Sequence, residues 1–115
     1  MTGYDVIKRA MHLLGYSGQE GDPSESQGTA EKDLEIINQL LPDLNCGGIL
    51  SLSDFLETTK AKEEALIYGV AMLLALTEGD ANKNHLFAEM YNAKRATALA
   101  EISGVKDTLP NVITG

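Results

Sequence analysis

Cysteine, tryptophan and long apolar runs are what this chain has least of, and each scarcity closes off a class of architecture or activity. Cys46 is the only cysteine among 115 residues. One chain alone therefore builds no intrachain disulfide, thiolate zinc cluster or dithiol redox pair, and an intracellular, reducing site of action fits. Tryptophan is absent and aromatic residues make up 5% of the chain. Aliphatic side chains must then supply most of the burial, which favours packed helices over a β-sandwich. The longest apolar run, Ala65 to Leu76, falls short of the roughly 18 residues a membrane-spanning helix needs. It reads as a buried core helix, and no membrane partner is expected. Met1 to Gly15 carries Asp5, Lys8 and Arg9 inside an amphipathic pattern, not a basic end followed by an apolar block. No secretory signal is expected there, so the protein is expected to stay in the cytoplasm where it is made.

Basic residues are scarce in one region only. Between Tyr16 and Glu57 there are nine acids against Lys32 alone, and this stretch holds the whole formal charge of −8. A surface of that sign repels phosphate, which argues against gripping DNA or RNA as the main task while leaving open a surface past which DNA slides.

What is present is helical periodicity, and it predicts an all-α fold: a small bundle of four main helices that includes a C-terminal helical hairpin, followed by an extended tail, all in a single domain over 1–115. Thr2 and Asp5 have the spacing of a capping box, and Val6, Ile7, Ala10, Met11 and Leu14 follow at helical intervals until Gly15. Residues 16–28 are rich in Gly, Ser and acids and predict a flexible acidic loop. Thr29 is the expected N-cap of a second helix, with Ala30, Leu34, Ile37, Leu41 and Leu44 inward and Glu31, Lys32, Asp33, Glu35 and Asn38 facing water. Pro42 should end or kink that helix, with a turn over Asn45 to Gly48. An irregular link or a short helical turn capped by Ser51 or Ser53, with an extended Ile49 to Leu52 as the other option, then offers Ile49, Leu50, Leu52, Phe55 and Leu56 to the core. Thr59 opens a third helix, Lys60 to Glu78, apolar on nearly every side and hence surrounded. Gly79 ends it, and a fourth helix over about Asn82 to Ser103 turns Leu86, Phe87, Met90, Tyr91, Ala98 and Ile102 inward. Gly104 ends that one, and residues 105–115 alternate around Pro110 as an extended tail.

Chemical constellations are sparse. His12 and His85 fall on different helices, and a metal would need further ligands beside either one. His85 and Glu89 share a helix face, as routine surface pairs do. Glu63 and Glu64 diverge by about 100° on a helix and serve better as first-turn acids. Cys46 has no base nearby in sequence, and the glycine pairs lack the lysine and strand context of a phosphate loop. Met11, Met72 and Met90 fill gaps on apolar stripes. No catalytic residue, cofactor or metal is expected, and the protein is not expected to be an enzyme. Asn92, Lys94 and Arg95 form a polar cluster that is either a solvated face or a contact in which a cationic patch meets the acidic middle of a neighbour.

The stretch Tyr68-Gly-Val-Ala-Met-Leu-Leu-Ala-Leu-Thr-Glu-Gly-Asp80, with Asn84, Phe87, Tyr91-Asn-Ala-Lys-Arg95 and Ala98, resembles the C-terminal helical hairpin of bacteriophage head-tail connector (adaptor) proteins. The order of parts before it is similar too: an N-terminal helix ending Leu-Leu-Gly15, a polar loop, Leu34-x-x-Ile-Asn-x-x-Leu41 and Leu-Ser-Leu-Ser-Asp54. The resemblance spans most of the chain on soft motifs. It implies a structural protein of the virion, made in the bacterial host, that forms a homo-oligomeric ring between the portal protein and the next tail component. DNA would pass through such a ring without specific binding. The expected subunit or partner contacts are Asn92, Lys94, Arg95, Val105, Leu109, Val112 and Ile113, and the expected channel-facing acids are Glu31, Asp33 and Glu35. The alternative is a helical protein-binding or regulatory module of phage origin that forms no ring.

Overall fold

Helix α1 spans Gly3–Leu13 in the computed structural model, which describes residues 1–15 and 27–107, with side chains at 1–15 and 30–100. It begins at the expected capping box. The Asp5 backbone N–H donates to Thr2 Oγ1 at 3.3 Å, and the Thr2 N–H donates to Asp5 Oδ2 at 3.0 Å. The latter bond favours the ionised carboxylate and holds Asp5 below its ordinary pKa. Val6, Ile7, Ala10 and Leu14 then bury on one stripe, and Gly15 leaves the helix at φ 94°, a left-handed turn that glycine adopts without a Cβ clash.

Helix α2 spans Gln27–Leu40, beginning two residues before Thr29. Leu40 ends it as expected, Pro42–Leu44 tighten into a 3-10 turn, and Asn45 reverses the chain at φ 60°. Two of the residues expected in water lie elsewhere. Asp33 is 3% exposed, because it stands two turns from Leu40 and so shares the inward face with Ile36, Ile37 and Leu40 whatever its charge. Asn38 reaches the link that follows: its amide donates to the Ile49 carbonyl at 2.9 Å and accepts from the Ile49 N–H at 2.9 Å.

The link is irregular, as its composition predicts, and it is fixed to α1. The Tyr4 N–H donates to the Leu52 carbonyl and the Leu56 N–H to the Met1 carbonyl, with an isolated antiparallel bridge between Thr2 and Phe55. Leu52 and Leu56 are buried, but Leu50 and Phe55 are 93% and 73% exposed, against expectation. Their turn is organised by Asp54, whose carboxylate accepts from the Leu50 and Ser51 N–H groups at 3.0 and 3.1 Å. That turn points Leu50 outward, while the Phe55 backbone is taken by the bridge to Thr2.

Thr59 caps α3, Lys60–Thr77, with its hydroxyl accepting from the Lys62 N–H at 3.2 Å. This helix buries Ala65, Leu66, Ile67, Gly69, Val70, Ala71 and Ala75, so burial runs around its circumference as its uniform apolarity requires. It packs most extensively on α4, then on α1, then on α2. Gly79 at φ 77° turns the chain, Asp80 caps by accepting from the Lys83 N–H at 3.0 Å, and α4 runs antiparallel over Ala81–Asp107. It continues through Gly104, where a stop was expected; glycine inside a helix costs about 1 kcal/mol but forbids nothing. Residues 105–107 are thereby helical instead of extended. Phe87, Tyr91 and Ala98 are inward, whereas Leu86 is 52% exposed. The Ile102 side chain, residues 16–26 of the expected loop and 108–115 of the expected tail lie outside the described residues.

Candidate interaction surface

The polar cluster on α4 is engaged within its own chain. Lys94 Nζ lies 3.4 Å from Glu64 Oε1 and 5.0 Å from the centre of the Tyr68 ring. Arg95 Nε lies 3.2 Å from Asp43 Oδ2 and donates to the Asp43 carbonyl at 3.0 Å. Arg95 thus meets the acidic middle segment of the same copy and Lys94 meets Glu64 just beyond it, and Asn92 alone of the three is exposed. Tyr91 joins this network, donating its hydroxyl to Asp43 Oδ2 at 2.8 Å. Burial, helped by that carboxylate, pushes the phenol well above its ordinary pKa, so it remains a donor. Pairing of this kind fixes the 3-10 turn against α4.

Of the expected channel acids, Glu31 and Glu35 are exposed and border a shallow groove with Leu34 and Asn38, while Asp33 is turned inward. Desolvation raises the Asp33 carboxyl to about 6. Val105 belongs to α4, with its side chain outside the described residues; Leu109, Val112 and Ile113 lie outside them altogether.

The groups that could carry chemistry are dispersed. Cys46 Sγ donates to its neighbour's carbonyl at Leu44, 3.5 Å away, and His85 pairs with Glu89 at 3.2 Å on an open helix face. His12 borders a groove of about 360 Å³ with Arg9, Leu13, Glu64, Ile67 and Tyr68. Among the described residues no three metal-ligating side chains converge, and no helix is long and apolar enough to cross a membrane.

Exposed apolar side chains instead gather at the two ends of the bundle. Lys83 Nζ donates to the Leu14 carbonyl at 2.8 Å, joining the end of α1 to the tip of the α3–α4 hairpin. Leu76 and Leu86 are exposed at that tip, whereas Leu13 is exposed on the flank of the bundle beside Ile67 and Tyr68. Leu50 and Phe55 stand at the opposite end, beside the starts of α1 and α3 and some 27 Å away by the length of α3. The serines around Asp54 were the only sequence signal of an exposed turn here, and apolar character argued the other way. The class defined by these features is an all-α bundle with a surrounded central helix and two apolar ends. No protein-family model, curated protein or solved structure matches the chain.

Proposed function

We propose that this protein is a noncatalytic structural subunit, a head-tail connector of a tailed phage or prophage that assembles as an oligomeric ring between portal and tail. The observation that carries the reading is the placement of exposed apolar side chains at opposite ends of the bundle, Leu76 and Leu86 at one and Leu50 and Phe55 at the other. An adaptor must hold one neighbour above and another below, and apolar patches of this kind mark contact sites. Support also comes from the resembling residues Tyr68 to Ala98, which form an antiparallel hairpin. Glu31 and Glu35, exposed on α2, are the acids that would line the channel and let DNA pass without sticking. Electron microscopy of the purified protein, alone and with its genome's portal protein, tests the reading. A ring in either sample is expected. Monomers in both, at concentrations where native mass spectrometry also finds no oligomer, would leave the ringless protein-binding module in its place. Genome passage unchanged by Glu31→Gln with Glu35→Gln would remove the channel role.

A further inference from the structure

Phe55 is one of only two phenylalanines in the chain, and it stands 73% exposed beside Leu50, itself 93% exposed. The two border a groove of about 410 Å³ whose walls also include Gly48, Ile49, Asp54 and Glu57. Three sets of bonds hold its shape. The Asp54 carboxylate fixes the backbone of Leu50 and Ser51, the Asn38 amide clamps both backbone polar groups of Ile49, and the bridge to Thr2 takes the Phe55 backbone. Apolar side chains held apart in this way stay exposed until something else covers them, and little of the chain need be ordered on binding.

The rim carries charge of one sign. Residues 43–59 hold Asp43, Asp54 and Glu57 and no lysine, arginine or histidine. Asp43 is paired with Arg95, whereas Asp54 and Glu57 have no basic partner among the described residues. At the opposite end Leu76 and Leu86 lie in sequence beside Glu78, Asp80, Lys83 and His85, which are of both signs. Charge therefore selects a partner at the Leu50–Phe55 end: an acidic segment would meet like charge there, and a basic one would meet two unpaired carboxylates. A second copy brings little positive charge to this rim, because it carries the same net charge of −8 and its Lys94 and Arg95 are already paired. Shape narrows the class further. The groove is open along one side, so it does not enclose a small molecule as a ligand pocket does, and it suits side chains inserted from a polypeptide. An exposed phenyl ring near a carboxylate lets an arginine stack its plane on the ring while its edge pairs with the acid.

We propose that the Leu50–Phe55 groove receives a basic, apolar polypeptide segment of a neighbouring component, with an arginine stacked on Phe55 and paired with Glu57 and an apolar side chain seated between Leu50 and Ile49. The proposal rests on the reading of the chain as a structural subunit held between two neighbours, and it gives the chemistry of one of them.

Titration of the full, isotope-labelled chain with the synthetic peptide Gly-Arg-Leu-Arg-Leu-Gly, followed by NMR, tests it. Shifts are expected first at Gly48, Leu50 and Phe55. Lysine in place of both arginines should weaken binding about threefold through lost stacking, and glutamine about tenfold. Phe55→Leu should keep the arginine peptide bound while abolishing its advantage over the lysine one. Glu57→Lys should weaken the arginine peptide about tenfold, whereas Glu89→Lys, an equal change of net charge on the open face of α4, should alter it by less than about twofold. Shifts spread over the acidic surface at large, equal affinity for the arginine and glutamine peptides, equal effects of the two charge reversals, or no shift at the groove up to about 5 mM peptide would each overturn the inference. So would groove shifts that appear on concentrating the protein alone together with a rise in mass, which would make a second copy the occupant. Ring formation is read separately by microscopy. A ring with no peptide in the groove removes this inference alone, and peptide in the groove without a ring upholds it while returning the chain to the ringless protein-binding module.

Discussion

Gly69→Ala is expected to destabilise this protein, although helix propensity alone predicts the reverse. Alanine in place of glycine inside a helix ordinarily gains about 1 kcal/mol. At Gly69, however, an added Cβ would lie 2.9 Å from both Cδ1 and Cε1 of Tyr91 and 3.1 Å from Leu40 Cδ1. The ring cannot step aside freely, because its hydroxyl is bound to Asp43 at 2.8 Å and Asp43 in turn to Arg95 at 3.2 Å. Overpacking costs about 1–3 kcal/mol, and loosening a hydrogen bond to a charged group about 1.5–3 kcal/mol. Set against the propensity gain, the net loss is about 3 kcal/mol, within a range of about 1.5–5 kcal/mol, or about 15 °C in Tm for a domain of this size. Urea and thermal unfolding followed by circular dichroism measure it. Repeating the substitution in Tyr91→Phe isolates the cause: without the hydroxyl the ring can swing, and the loss should shrink by at least about 0.5 kcal/mol. A neutral or stabilised Gly69→Ala, or an equal loss in both backgrounds, would refute the argument that the anchored ring makes glycine necessary.

Asp33 carries a pH signature. Its carboxyl titrates at about 6 in the folded chain against an ordinary 3.8, so between these values the folded state keeps a proton that the unfolded state has lost. Its contribution is complete below pH 3.8 and declines as pH rises to about 6, by about 3 kcal/mol at most. Asp33→Asn should flatten that decline and unfold at higher urea than the parent at neutral pH. Asn38→Ala removes both bonds to Ile49 and should cost about 2 kcal/mol, with hydrogen exchange rising first at Ile49 and Leu50. Thr2→Ala deletes the capping box and should cost about 1 kcal/mol, seen as a lower urea midpoint with an unchanged slope; no change would mean that the bonds to Leu52 and Leu56 already fix this end.

Much of the architecture was legible before any fold was known, because local signals carry it. Thr2 with Asp5, Thr59 before Lys60, Gly15 and Gly79 past helix ends, and Pro42 after α2 each act within one turn of backbone, where hydrogen bonds and φ preferences leave few alternatives. The apolar circumference of α3 likewise announced a surrounded helix, since no other setting removes all of its faces from water. Tertiary structure alone decided which polar groups face inward and which apolar groups do not. Asp33 is buried because the phase of α2 is set by Ile36, Ile37 and Leu40 together, and one charge cannot rotate a helix against three aliphatic anchors. Arg95 and Lys94 found acids at Asp43 and Glu64, distant in sequence and adjacent only once α4 had packed against the 3-10 turn and α3. Leu50 and Phe55 were read as core from their hydrophobicity, yet a carboxylate turn and a bridge to Thr2 hold them outside. Caps and breaks are short-range physics written residue by residue, whereas the direction a side chain finally takes depends on elements that meet only in the folded molecule.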